Sequence, residues 1–329
     1  MIGSTRILGL TVMLLALGGA AYADDETRSP LPLGPFRVPA ALDLTIRAVT
    51  IEASTTAVRA RWEIVAGTDR DVAAVLVQPL PDLSPALTGL DEVAKRKPVG
   101  PDFIGVGIEA DGKPVKPEIA QRATAAGLDV TERLIADGLP VDPWIAPDIE
   151  AKLAALAPDK RRFYAMRGMA QWFEGGPPMW GWTASTVLWW PQTFAAGKAV
   201  ATTISYAPVT GTALLTEATA NRLLDGDCRD AAAKAALGKA LAAVRAPGPS
   251  TSVALLDRTL DLNFEAGPTA PAIGRFTLKV ARPSPTTLVV SCGLTPTTAS
   301  ATEVSFTATE FSPPASVTVH FIELPKGSK

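Results

Sequence analysis

His320 is the only histidine among the 329 residues. That alone removes most catalytic designs. A zinc peptidase built on a helical His pair needs two, and a histidine-rich metal site needs several. A Ser-His-Asp triad would have to use His320, which stands in Val317-Thr318-Val319-His320-Phe321-Ile322, a run that reads as a strand near the C-terminus. The chain contains neither G-x-S-x-G nor S-x-x-K, the local signatures that place a nucleophilic serine. His320 therefore reads as a structural side chain on a strand face. A Cys-His nucleophile pair can be written on paper from Cys228 or Cys292.

Three further patterns resemble chemical sites by spelling. Asp225-Gly226-Asp227-Cys228-Arg229-Asp230 is acidic enough for calcium. As an EF-hand loop it fails, because Asp230 stands where glycine is needed and Ala236 where a bidentate Glu is needed. Helix-capping carboxylates are the ordinary explanation, and an irregular cation module using Asp225, Asp227 and Asp230 is the alternative. Gly105-Val106-Gly107-Ile108-Glu109-Ala110 spells a dinucleotide fingerprint but runs into Asp111-Gly112, a hairpin turn, instead of opening a helix. No phosphate-binding P-loop sequence is present. With 33 Asp and Glu residues, paired carboxylates for glycoside hydrolysis stay open, since sequence places no two of them at catalytic separation.

The aromatic cluster is the remaining candidate. Trp172, Trp180, Trp182, Trp189 and Trp190 fall within 19 residues, beside Phe173, Met179 and Pro177-Pro178. Adjacent residues in a strand point to opposite faces, so Trp189 and Trp190 cannot both be core through the same face. An exposed aromatic platform at Trp180, Trp182, Trp189 and Trp190 would bind glycan, peptide or a partner protein. The competing expectation is that helices cover these rings.

The compartment follows from the two ends of the composition. Arg6, the apolar stretch Ile7 to Leu17 and the small residues Ala21 and Ala23 around Tyr22 have the layout of a secretory signal peptide cleaved after Ala23. Removing 23 of 329 residues leaves 306, enough for about two domains. No Cys stands directly after the apolar stretch, where a lipoprotein anchor would need one, and no later run reaches the ~18 apolar residues of a membrane span. Formal net charge is −2, which lacks the footprint of a nucleic-acid or anionic-membrane binder. Two cysteines in an exported chain point to one disulfide, Cys228 to Cys292, with two buried free thiols as the alternative. The loop they would close spans 64 residues, a cross-link worth about 4 kcal/mol in the chain-entropy model.

The elements are mainly strands. There are 29 prolines and 26 glycines, which favours short strands and turns over long helices. Residues 24–40 read as an extended Pro-rich segment. Leu42 to Arg47, Val58 to Ile64 and Val72 to Leu80 read as strands, the last as buried on both faces because its apolar run is almost continuous. Asp111-Gly112 is a tight hairpin turn. A helical insertion is expected at about 117–175, with Asp129 capping its first helix and Glu132 closing a capping box. Helices are expected at about 148–156 and 159–171. Strands return at Trp182 to Trp190 and Val200 to Tyr206. An Ala-rich helix is expected from about Arg229 to Val244, followed by five short strands. The fold expected is mainly β, antiparallel and sandwich-like, with an α-helical insertion (α+β overall). The domains expected are 1–23 signal peptide, 24–207 β domain with the insertion, and 208–329 helix plus β domain.

In order along the chain stand Asp71-Val72, Pro79-Leu80-Pro81-Asp82, Asp111-Gly112-Lys113-Pro114-Val115, Arg122-Ala123 and Gly127-Leu128-Asp129-Val130-Thr131. Gly138-Leu139-Pro140, Trp190-Pro191-Gln192-Thr193-Phe194, Tyr206-Ala207-Pro208, Cys228 and Cys292-Gly293 follow. Each motif is short, but their order and spacing together resemble an exported bacterial family, domain of unknown function 4424, over most of the chain after residue 23. The resemblance implies an exported β-rich protein and brings no catalytic residues with it.

These observations point to a periplasmic or secreted protein, a non-catalytic binding or structural module of the envelope. The alternative is a carboxylate-based hydrolase acting on envelope polysaccharide. No cofactor, resident metal, nucleic acid or stable membrane insertion after leader removal is expected. The partner expected is an envelope protein or glycan.

Overall fold

The computed structural model describes residues 28–39, 41–87, 100–216, 219–220, 223, 231–244, 254–265, 270, 272–291 and 294–323. The chain is mainly β, with a few helices. In chain order the strands are β1 (Leu44–Ala53), β2 (Val58–Ala66), β3 (Val72–Pro79), β4 (Gly107–Ala110), β5 (Lys113–Pro114), β6 (Glu118–Ala125) and β7 (Leu128–Asp129). Helices α1 (Thr131–Ala136), α2 (Ile149–Ala154) and α3 (Pro158–Met166) follow. Next come β8 (Ala170–Gln171), β9 (Met179–Trp180), β10 (Thr183–Phe194), β11 (Ala199–Tyr206) and β12 (Gly211–Thr216). The remainder is α4 (Ala231–Val244), β13 (Ala254–Asn263), β14 (Ile273–Ala281), β15 (Leu288–Ser291), β16 (Thr298–Ala299), β17 (Glu303–Phe311) and β18 (Ser316–Glu323).

An eight-stranded sheet runs β16-β17-β14-β1-β2-β11-β4-β5, and two four-stranded sheets run β3-β10-β6-β7 and β12-β13-β18-β15. Neighbours are antiparallel except β1 and β14, which are parallel. The chain thus passes residue 208 and returns to complete the sheet that its first strands began. A parallel pair cannot be joined by a hairpin, which is why the partners lie so far apart in sequence.

Local rules explain the strands. In β1 the inward residues change phase at a bulge, where Ile46 pairs Ile64 but Ala48 pairs Glu63. The extra residue, Arg47, pushes its carbonyl toward β14, and a Cβ on Gly274 would sit 2.7 Å from that oxygen. Glycine is the residue that tolerates such an approach. The β4–β5 turn has φ of 50° at Asp111 and 74° at Gly112, both in the region a tight primed turn requires. Asp111 Oδ1 also accepts the backbone N–H of Ala201 at 2.8 Å, tying the turn to β11.

One hydrophobic cluster draws on all three large sheets, through Trp62 and Ile64, through Leu76 and Trp190, and through Leu260, Val319 and Phe321. The Pro-rich leading segment belongs to it. Leu31, Leu33, Phe36 and Val38 are buried, and bridges join Leu31 to Val209 and Arg37 to Val77. Prolines suit such a strap, because it pairs at single points and never needs a full ladder of donors.

Three expectations are corrected here. The apolar run Val72 to Leu80 is buried on one face, not both. Its strand is the edge of the β3-β10-β6-β7 sheet, with Ala74 and Leu76 inward and Ala73 and Val75 outward. The segment 117–175 is also not helical throughout. It opens with β6 and β7, and its third helix ends at Met166 before the β8–β9 hairpin. Asp129 does not cap α1, which starts after Val130 without a side-chain cap. Asp129 is spent elsewhere: its Oδ1 accepts the N–H of Thr131 and its Oδ2 pairs with Arg122 at 2.8 Å. Those contacts hold its carboxyl below the usual carboxylate range, the Thr131 N–H first.

Candidate functional site

Strand β10 positions the aromatic cluster. Its C-terminal part from Val187 pairs with β3 and its N-terminal part through Trp189 pairs with β6, so at Val187, Leu188 and Trp189 its alternation is fixed by two registers at once. Trp182, Ala184, Leu188, Trp190 and Phe194 are buried. Trp190 stacks on Phe36, ring centroids 6.0 Å apart, and Phe36 in turn leans on Trp62 at 5.1 Å. Trp189 stands on the opposite face with 36% of its surface exposed.

Around Trp189 the outer face of this sheet is apolar. Trp189 lies opposite Val77 on β3 and Glu118 on β6, and Pro191 lies opposite Val75. Val75 is 47% exposed. Val77 and Val187 on the same face are half-buried, while Pro191 and Ala120 are exposed. Residues directly opposite in an antiparallel pair share a face at close range. The side chains therefore form a continuous apolar surface, edged by Glu118 and by the Arg122–Asp129 ion pair.

The four tryptophans expected to form one platform divide. Trp182 and Trp190 are core and cannot meet a ligand in this fold, because each belongs to the inward-facing set of the β10 region. Trp182 also donates its indole N–H to the Val141 carbonyl at 2.9 Å. Trp180 is half-buried and packs with Trp172 and Val141 on the helical block's own hydrophobic cluster, its ring edge-on to Trp144 at 5.3 Å. Trp189 alone of the four presents an exposed ring. Val75 and Pro191, its neighbours across the face, carry no signal separable from an ordinary strand, and the sequence reading missed them.

His320 lies in β18, between β13 and β15. Its Nδ1–H donates to Asp257 Oδ2 at 2.8 Å, and both residues are buried. Across from His320 are Thr259 and Val290, and the same face carries Leu255 and Ile322, which pack with α4 residue Leu237. A His–Asp pair is two-thirds of a catalytic triad in composition. Ser291 is the nearby buried serine, but it pairs opposite Val319, one residue out of phase with His320, so it faces the other side of the sheet. The pair is a strand-face arrangement in which each buried side chain partners the other, while Asp257 Oδ1 has no hydrogen-bond partner among the described residues.

Two carboxyls are shifted upward, as an acid catalyst's would be. Burial raises Asp102, against the N–H donors of Val106, Gly105 and Ile104. Burial likewise raises Asp142, against Trp144 and Ile145. Both are engaged by their own loops: Asp102 accepts from Val106 N–H at 2.8 Å and Asp142 from Trp144 N–H at 3.0 Å. Asp137 goes the other way. Burial raises it, but Lys160, Tyr164 and Arg133 outweigh that and hold it low. Among the described residues no group of three His, Cys, Asp or Glu is placed to hold a metal ion. Cys228, Cys292, Asp225, Asp227, Asp230, Ala21 and Ala23 lie outside the described residues.

A small cavity between Phe36, Trp62, Tyr206 and Phe264 has a volume of about 40 Å³. That holds one or two waters and no metabolite. Burial pushes the Tyr206 hydroxyl well above its ordinary value.

The family "Domain of unknown function (DUF4424)" matches residues 30–320, and the chain belongs to it. No curated protein matches. Among solved structures, the chain is similar to a candidate nutrient binding protein from Legionella pneumophila subsp. pneumophila str. Philadelphia 1. The identity is 10%, over 90% of this chain and 72% of that one, with a TM-score of 0.43. It is also similar to the M1 zinc metallopeptidase from Deinococcus radiodurans, at 10% identity over 84% of this chain, with a TM-score of 0.24. The chain spans 42% of that enzyme's length. At these scores neither likeness bears on what this chain binds or does.

Proposed function

We propose that this member of the DUF4424 family is an exported, non-catalytic binding or structural module of the bacterial envelope. Its contact surface is the outer face of the β3-β10-β6-β7 sheet. The observation that carries the proposal is Trp189, a tryptophan exposed over 36% of its surface beside Val75 at 47%, on strands held by regular pairing. Rigid aromatics with apolar neighbours are the residues that anchor interfaces, because they bring large contact area at little entropic cost. Export is supported by Arg6, the Ile7 to Leu17 stretch and the Ala21 and Ala23 pair. The partner is an envelope protein or glycan.

The test compares residues 24–329 with the Trp189→Ala and Val75→Asp variants for capture of envelope components. Capture weakened at least ~10-fold by either variant, at unchanged folding, is the expected result, since anchor residues cost about 2 kcal/mol or more when truncated. Equal capture by all three proteins overturns the surface assignment.

A further inference from the structure

We infer that the helical block carries a second, independent surface that docks peripherally on an anionic lipid bilayer. It is centred on α3 and goes beyond the sheet-face reading. The observation is a juxtaposition of exposed apolar side chains and guanidinium groups. Met166 is 80% exposed and Phe163 36%. Two guanidiniums lie over the Phe163 ring, Arg133 at 4.7 Å and Arg167 at 5.6 Å from its centroid. Positions three and four apart are neighbours on a helix, so Met166 adjoins Phe163 and Arg162, and Arg167 adjoins Phe163. One patch therefore holds Arg133, Arg162, Phe163, Met166 and Arg167.

Helix α3 buries little. Tyr164 is its buried residue, and it points its hydroxyl to Asp137 at 2.9 Å. Arg133 and Lys160 also meet Asp137, each at 2.7 Å, so one carboxylate carries two cations and the trio keeps a positive excess. Arg161 donates to the carbonyls of Leu156 and Ala154, which leaves its charge uncompensated. Among the described residues no carboxylate pairs with Arg162 or Arg167. The acidic neighbours are Asp159, one turn before Phe163, and Glu132, beside Arg133. Five cations thus face Asp137, Asp159 and Glu132. The chain as a whole is −2, so this patch inverts the sign of the molecule locally.

The patch fits one kind of partner. A polyanion such as polyphosphate would pair the guanidiniums and leave Met166 in water. A bilayer with anionic headgroups accepts both, with the apolar tips at the acyl boundary and the guanidiniums at the phosphates. No helix among the described residues is long and apolar enough to cross a membrane, and docking of this kind needs none.

The experiment is vesicle flotation of residues 24–329. Vesicles containing phosphatidylglycerol are compared with pure phosphatidylcholine, with long-chain polyphosphate as a third arm. Binding to the anionic vesicles alone is expected, falling as salt rises from roughly 0.05 to 0.5 M. Each basic residue near an anionic surface is worth about fivefold, so Arg162→Gln with Arg167→Gln weakens binding about 30-fold. Met166→Ser weakens it about tenfold through lost apolar burial. Equal binding to both vesicle types, binding to polyphosphate without vesicles, or variants that bind like the parent each overturn the proposal. The salt dependence of the unsubstituted chain needs no variant, so the test survives a variant that fails to fold. Trp189→Ala leaves this binding unchanged, which separates this surface from the sheet face.

Discussion

Phe36 and Trp190 stack 13° from coplanar with ring centroids 6.0 Å apart. This pairing decides the polarity of β10. Phe36 belongs to the Pro-rich strap, and by covering Trp190 the strap makes that face of the sheet core. Trp189, the next residue back, is then committed to the outside.

Trp190→Ala should therefore cost about 3–5 kcal/mol, the range for emptying a buried aromatic site. Trp189→Ala should stay within about 1 kcal/mol. Urea unfolding midpoints, with matching slopes, check the contrast. Similar losses at both positions would mean that the outer face is covered.

The His320–Asp257 pair behaves as a unit. Replacing either partner alone strands a buried polar or charged group and should destabilise by about 3–5 kcal/mol. Replacing both by valine should cost less than the sum of the two singles by at least ~1 kcal/mol, because no orphan is left behind. A double-mutant cycle measured by chemical denaturation shows this. Strict additivity would say that the 2.8 Å contact contributes nothing.

Asp142 gives a pH signature. Burial raises its carboxyl, so above the ordinary carboxylate value of about 3.9 the folded chain holds a proton that the unfolded chain has released. Stability from this group is present at acid pH and lost as pH rises through the raised folded value. Asp142→Asn keeps an oxygen for the Trp144 N–H and carries no charge. The variant should match the parent below about pH 4 and exceed it in stability at neutral pH. Unfolding midpoints across pH check this, and a variant weaker than the parent at neutral pH contradicts it.

Cys228 and Cys292, if joined in the exported chain, leave no thiol to titrate under denaturing conditions. Breaking their 64-residue loop with Cys292→Ser should cost about 4 kcal/mol. Two titratable thiols in protein recovered from the envelope would refute the cross-link.

Much of the sheet content was legible in the sequence because period-two alternation survives wherever one face is wet. Val58 to Ile64 and Val200 to Tyr206 show it, and both are strands. Val72 to Leu80 misled because its outward residues are also apolar, and composition does not say whether a second layer lies above a strand. The Asp129 cap failed because Asp129 pairs in the β6–β7 ladder and its carboxylate goes to the Thr131 N–H and to Arg122, a tertiary fact. At the candidate site, adjacency alone implied that Trp189 and Trp190 part company. Which of them is exposed depended on Phe36, over 150 residues upstream, and no local pattern reports that. The basic patch on α3 was hidden by averaging, since whole-chain charge cancels what Arg162 and Arg167 concentrate.

The outer face of β10 is proposed to meet another molecule. Incorporating a photo-cross-linking amino acid at position 189, and at exposed Leu214 as control, tests it in intact cells. Discrete adducts from position 189 and none from position 214 are the predicted result. No adduct from position 189, or the same adducts from both positions, would contradict it.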